Sequence, residues 1–139
     1  MKNVYPVFFT KTKDNILVEV PDLDILTEGP DMNDAIDMAR DASELKCVTM
    51  EDANETIPTP SDISTLDVHK GTFSADGETV ISFVDIDSTT YRKKTDMKTV
   101  RRNVALPSWL NYAADQAGVN VSRILQEALM SVLKIERKI

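Results

Sequence analysis

Hydrophobic and polar positions along the chain change period several times, and the changes divide it into short elements. Tyr5 to Thr10 is a continuous apolar and aromatic run with β bias, followed by the turn residues Lys13-Asp14-Asn15. Ile16, Val18 and Val20 then alternate against Glu19 until Pro21-Asp22, and Ile25-Leu26-Thr27 forms a third run closed by Gly29-Pro30. These three segments predict a meander of antiparallel strands. From Asp31 the period becomes helical. Asp31 or Asn33 can accept from the free N–H groups of the first turn, and Met32, Ala35, Met38, Ala39, Ala42 and Leu45 share one broad face. Asp34, Asp37, Asp41 and Glu44 fall on the opposite face as an acidic stripe, with Asp34 and Asp37 complementing the helix N-terminus.

Thr56 to Ser61, with Pro58 and Pro60, reads as an extended connector. Val68–Phe73 and Thr79–Ile86 flank Ser74-Ala75-Asp76-Gly77-Glu78, which predicts a hairpin turning on Asp-Gly. The polar, basic stretch Tyr91–Lys98 marks a domain boundary, giving domains 1–94 and 95–139. Beyond it, Val100–Pro107 predicts a short strand. Pro107 suits a first helical turn, Leu110, Ala113, Ala114 and Ala117 form one helical face, and Gly118 stops that helix. Asn120 caps a second helix, whose stripe of Ile124, Leu125, Ala128, Leu129, Val132 and Leu133 is wide for so short a module.

Charge sharpens this division. Residues 1–91 hold 6 Lys and Arg against 19 Asp and Glu, whereas residues 92–139 hold 10 against 4. An acidic first part and a basic last third imply two domains with different partners. The apolar run Val4–Phe9 is too short for a signal-peptide core or a membrane span, which predicts a cytoplasmic protein without membrane association.

Candidate chemistry is sparse. One Cys (Cys47) and one His (His69) exclude an internal disulfide and a zinc site within the chain. Asp22, Asp24, Glu28, Asp85 and Asp87 could gather into a two-metal nuclease site, but no spacing among them demands it. His69 lacks a nucleophile motif beside it and reads as a surface residue. Cys47, on an apolar helix, reads as a small core residue. Phosphate-cradling glycine loops are absent, and no catalytic residue, metal or cofactor is expected.

Binding chemistry is richer. The strand at Val100–Pro107 has no hairpin mate in the segment that follows, and a lone short strand is unstable. Pairing with the same strand of a second chain would give a two-stranded ribbon of the width the DNA major groove admits. Parity sends Val100, Val104 and Leu106 toward the helices and Arg101, Asn103 and Ala105 outward. Arg can donate twice to guanine, Asn can pair with adenine, and Ala105 can touch a thymine methyl. Lys98 and Arg102 are candidate phosphate contacts, as are Asn120, Ser122 and Arg123 at the second helix N-terminus. Leu110–Leu129 also fits a helix-turn-helix, which would leave the strand idle.

The runs Phe83-Val84-Asp85-Ile86-Asp87, Tyr91-Arg92-Lys93-Lys94, Lys98 through Asn111, Ala117-Gly118-Val119-Asn120-Val121-Ser122 and Leu125-Gln126-Glu127-Ala128-Leu129 resemble the HicB antitoxins of type II toxin–antitoxin pairs. So do Tyr5-Pro6-Val7-Phe8-Phe9, Val18-Glu19-Val20-Pro21-Asp22-Leu23, Thr27-Glu28-Gly29 and the helix around Ala35-Ile36-Asp37-Met38-Ala39. The resemblance implies an α+β fold. Its N-terminal antiparallel sheet plus helix is a partial ribonuclease H-like domain without a working nuclease site. That domain would bind HicA, a small basic ribonuclease toxin, over its catalytic histidine. The C-terminal ribbon-helix-helix would form an intermolecular dimer, or a higher oligomer, that binds operator DNA. Charge alone nominates Glu28, Asp34, Asp37, Asp41 and Glu44 as the toxin-facing residues.

Overall fold

In the computed structural model, which describes residues 1–137, the chain forms two compact units, Met1–Met97 and the residues from Lys98 onward. The first unit carries a four-stranded antiparallel sheet. Strands β1 (Lys2–Lys11), β2 (Ile16–Val20), β3 (Ile25–Gly29) and β4 (Glu78–Asp87) lie in the order β3-β2-β1-β4. The expected meander is therefore present as β1 to β3. Its first turn is held by the Thr12 hydroxyl, which donates to the Asn15 side chain at 2.7 Å and accepts from the Asn15 N–H at 3.1 Å. The second passes through a 3-10 turn at Pro21–Leu23 into Asp24, whose φ of 52° is one that a short polar side chain tolerates.

Helix α1 (Met32–Asp52) starts where Asp31 accepts from the Asp34 N–H at 2.8 Å. Gly29 allows β3 to meet that first turn, because a Cβ there would stand 2.5 Å from the Ala35 nitrogen. The buried stripe of α1 is Ala35, Ala39, Ser43 and Cys47. This differs from the expected face, since Met32, Met38 and Leu45 are exposed. Small residues let the helix lie close to the sheet, and the larger apolar side chains are left outside. Glu44, expected on the exposed stripe, is buried at 6% exposure and accepts from the Asp87 N–H at 3.4 Å. The core beneath α1 comprises Tyr5, Val7, Phe9, Val18, Val20, Leu23, Ile25, Val84 and Ile86. Each large aliphatic or aromatic side chain buried there contributes about 1.5–3 kcal/mol.

The expected strand at Val68–Phe73 does not form. Val68–Lys70 is instead a single 3-10 turn, capped by Asp67 accepting from the His69 N–H at 2.9 Å. β4 pairs with β1 over ten consecutive positions, from Lys2 opposite Asp87 to Lys11 opposite Glu78. The Asp76-Gly77 turn therefore leads into β4 without making a local hairpin. At Gly77 a Cβ would collide with the Lys11 carbonyl, so only glycine lets the chain pass there. The connector across the sheet is fastened at three points. Tyr5 Oη donates to the Pro58 carbonyl at 2.6 Å, the Ser61 N–H to Asp22 at 2.9 Å, and the Thr72 N–H to Glu19 at 2.8 Å.

Part of the polar stretch Tyr91–Lys98 is helical: α2 spans Ser88–Thr95. Asp87 caps it by accepting from the Thr90 N–H at 3.2 Å and the Thr90 hydroxyl at 2.7 Å. Arg92 ties α2 to the end of α1, donating to Glu51 at 2.9 Å and Asp52 at 2.8 Å.

In the second unit, α3 (Ser108–Ala117) ends at Gly118 in the left-handed region at φ 63°. Helix α4 (Val121–Leu133) begins at Asn120, whose side chain accepts from the Arg123 N–H at 3.0 Å. Lys98–Leu106 belongs to no sheet within the single chain. No described side chain from Lys98 onward is buried. Residues 138 and 139, at the end of the expected second domain, lie outside the described residues.

Candidate nucleic-acid interface and acidic surface

The second unit presents apolar and basic groups together. Val100 is 83% exposed, Trp109 71% and Val132 77%. An open cleft of about 570 Å³ is lined by Arg102, Asn103, Val104 and Leu106 on one side and Asn111, Val121 and Leu125 on the other. Val104 and Leu106, expected from parity to face the helices, both border this cleft. Asn103 and Arg102 also border the cleft, because a segment without a pairing partner is not held to strand alternation. Arg101 and Ala105 are exposed. Lys98 stands at the head of the unit, also exposed.

At the start of α4, Asn120 is occupied as the helix cap. The Arg123 guanidinium pairs with Glu127 at 3.1 Å, one turn along the same exposed face. Ser122 is exposed in the first turn, where unpaired N–H groups and the helix dipole favour an anion. The arrangement supplies cations and donors on one element and a broad apolar face behind it.

On the first unit, Asp34, Asp37 and Asp41 are exposed along one side of α1. Met38 (43% exposed) and Leu45 (54%) stand among them. The acidic stripe is therefore studded with two apolar side chains, which the periodicity had assigned to the core. Glu28 lies on β3 and accepts from the Asn15 side chain at 2.7 Å. Glu44, being buried, does not belong to this surface.

Asp85 does, and sequence spacing did not associate it with the stripe. Arg40 bridges from α1, donating to Asp85 at 3.0 Å and lying 3.4 Å from Asp37. The Arg40 hydrogen bond holds the Asp85 carboxyl below the usual carboxylate range. The outward parity of Asp85 on β4 was the one signal that could have placed it there. A second cluster, Arg92 with Glu51 and Asp52, holds α2 in place. There the Arg92 hydrogen bond depresses the Glu51 carboxyl.

Three groups considered for catalysis are dispersed. His69 is exposed on its 3-10 turn. Cys47 is buried, and burial pushes its thiol up, which keeps it protonated and inert. Among the described residues, no three His, Cys, Asp or Glu side chains are grouped to hold a metal ion. No helix among them is long and apolar enough to cross a membrane.

Comparison with solved structures finds the same mixed α+β fold. A chain of the toxin–antitoxin complex from Streptococcus pneumoniae matches with a TM-score of 0.59 and 22% identity, over 94% of this chain and 99% of that one. The antitoxin HicB3 matches with a TM-score of 0.51 and 22% identity, over 97% and 100%. The antitoxin HicB of Burkholderia pseudomallei matches at 0.49 and 22%, over 94% and 96%. No curated protein matches the sequence. The family model described as HicB_like antitoxin of bacterial toxin-antitoxin system matches residues 5–128. The chain belongs to the HicB-like antitoxin family of bacterial toxin–antitoxin systems.

Proposed function

We propose that this antitoxin binds and inhibits a HicA-like ribonuclease through its acidic first unit, and represses its own operon in the cytoplasm through a C-terminal ribbon-helix-helix dimer. One observation carries the second half of this reading: a folded unit with two helices and, among its described residues, no buried side chain. Modules of about 40 residues need an added source of burial, commonly a second copy. If Val100–Leu106 pairs with its equivalent, Val104 and Leu106 close over the faces of α3 and α4 from both chains. Arg101, Asn103 and Ala105 then form the groove-facing side of the ribbon, while Lys98, Arg102 and the start of α4 with Asn120, Ser122 and Arg123 meet phosphates.

The first half rests on charge and on the family. Glu28, Asp34, Asp37 and Asp41 offer a basic partner a negative surface, and Met38 and Leu45 give that surface apolar anchors. The sheet with α1 is then a partial ribonuclease H-like domain serving as a binding module. With domain limits at 1–94 and 95–139, the toxin and DNA activities are assigned to the chain before and after the basic last turn of α2, Arg92, Lys93 and Lys94.

The competing reading, a helix-turn-helix regulator without a toxin, uses α3, Gly118 and α4. The two readings differ over which arginine reads DNA. Operator binding of the full chain, followed by fluorescence anisotropy, should fall at least tenfold in Arg101→Ala and retain its sequence preference in Arg123→Ala. Loss of sequence preference in Arg123→Ala with Arg101→Ala unaffected would establish the helix-turn-helix instead.

A further inference from the structure

Helix α2 is held to the first unit in a different way from α1. α1 contributes Ala35, Ala39 and Cys47 to the hydrophobic core. Among the described residues, that core takes no side chain from α2, whose one buried residue is Ser88. Ser88 stays with the end of β4: its N–H donates to the Met1 carbonyl at 3.0 Å and its hydroxyl to Glu51 at 2.9 Å. Past it, Thr89, Thr90, Lys93, Lys94 and Thr95 are exposed, and Tyr91 and Arg92 are half-buried.

Polar contacts fasten this stretch. The Arg92 guanidinium donates to Glu51 and Asp52 of α1 and, at 3.4 Å, to the Val48 carbonyl. Arg92 is 42% exposed and Asp52 64%, so the pair sits in water, where such contacts are weak and screened by salt. An eight-residue helix does not hold together in water without packing. α2 therefore forms or melts with its attachment to α1, at a free energy well below that of unfolding the sheet.

The place of α2 in the chain gives its release a consequence. With the ribbon paired from Val100, residues 96–99 are the whole tether while α2 is docked, and four residues span at most about 14 Å. Releasing Thr89–Thr95 extends the tether to residues 89–99, with a reach of about 40 Å. Each first unit carries 9 Lys and Arg against 20 Asp and Glu over residues 1–97. A short tether holds that negative charge near the phosphates the ribbon must meet, and a long one lets it retreat beyond the screening length of about 8 Å. We infer that α2 is a releasable clasp: Thr89–Thr95 leaves α1 while the sheet stays folded, and engagement of operator DNA favours the released form. The second part rests on the ribbon-helix-helix reading above.

The test is amide hydrogen exchange of the full chain, free and on an operator duplex. It follows the N–H groups of Arg92–Thr95, the four that can bond within an eight-residue helix. In the free wild type they should exchange within about a hundredfold of an unprotected chain, while those of Ala39–Cys47 in α1 remain protected until the unit unfolds. Arg92→Met should bring Arg92–Thr95 to within a few-fold of the unprotected rate without changing α1, and Arg92→Lys should lie between the two. The duplex should speed exchange of Arg92–Thr95 in wild type at least threefold. Exchange of Arg92–Thr95 as slow as that of Ala39–Cys47, or unaltered by Arg92→Met, overturns the clasp. Exchange slowed or unchanged on a bound duplex overturns its coupling to DNA. A duplex bound no better by wild type than by Arg101→Ala refutes the DNA reading instead, and the free chain still decides the release.

Discussion

Dilution is the perturbation that most directly probes a unit without an interior. If the residues from Lys98 onward gain their core from a second copy, their unfolding releases two chains and its midpoint depends on concentration. Each chain contributes residues 98–137, so a dimer orders roughly 80 residues, with an unfolding entropy of about 2.1 cal/mol/K per residue, or about 0.17 kcal/mol/K in all. A tenfold dilution shifts the balance by about 1.4 kcal/mol. Dividing one by the other gives a fall in midpoint of about 8 °C per tenfold dilution. The assay is built into the sequence, because the single tryptophan, Trp109, lies in α3 and its fluorescence reports this unit alone. Cys47, on the buried stripe of α1, reports the first unit through its reactivity to a thiol reagent. The Cys47 transition should keep its midpoint across the same dilutions. A Trp109 midpoint that moves by less than about 2 °C per tenfold would refute an intermolecular core.

Other outcomes follow from particular contacts. Gly29→Ala would drive a methyl group into the backbone of Ala35 and displace the capped first turn of α1, costing about 2–4 kcal/mol from overpacking and cap loss together; a urea midpoint within error of wild type would show the approach is not close. Replacing Asp34, Asp37 and Asp41 with Asn should slow toxin association about tenfold at low salt and little at high salt, as stopped-flow would show, whereas Glu44→Gln should leave the rate unchanged. Stability of the first unit should decline on acidification: the Glu51 carboxyl is depressed in the fold, so its contribution is complete above its ordinary value of 4.5 and is lost as pH falls through the depressed one. That contribution is small, because Arg92 and Glu51 are partly solvated, and Arg92→Met should remove it, so that the difference between urea midpoints at pH 7 and pH 3 narrows relative to wild type.

Much of the fold was legible because local signals and packing agreed. β1 to β3 were marked by short apolar runs, alternation at Ile16–Val20 and turn residues, and α1, α3 and α4 by caps at Asp31, Asn120 and Gly118 that the structure uses. The failures lie where a distant partner decides. Val68–Phe73 had β-compatible residues, yet β1 offers β4 its full ten-residue length, and the segment turns over Phe8 instead. The face of α1 was misjudged because periodicity ranks Met38 and Leu45 above Ser43, whereas close approach to the sheet favours the smaller side chain. Glu44 followed from the same error. The acidic surface was half legible: the stripe on α1 shows in its spacing, but Asp85 joins it only through Arg40, 45 residues away. Arg101 and Asn103 could be nominated from parity alone, but Lys98–Leu106 pairs with no strand within the chain, and Asn103 borders the same cleft as Val104.

The central claim is that one chain carries two separable activities on two units. The most direct measurement uses the double variant Arg101→Ala with Asn103→Ala, assayed both for operator binding by anisotropy and for rescue of growth in cells expressing the cognate toxin. The account predicts operator affinity reduced to the non-specific level, with rescue equal to wild type. Rescue lost together with operator binding, in a variant whose circular dichroism and mass match wild type, would contradict it.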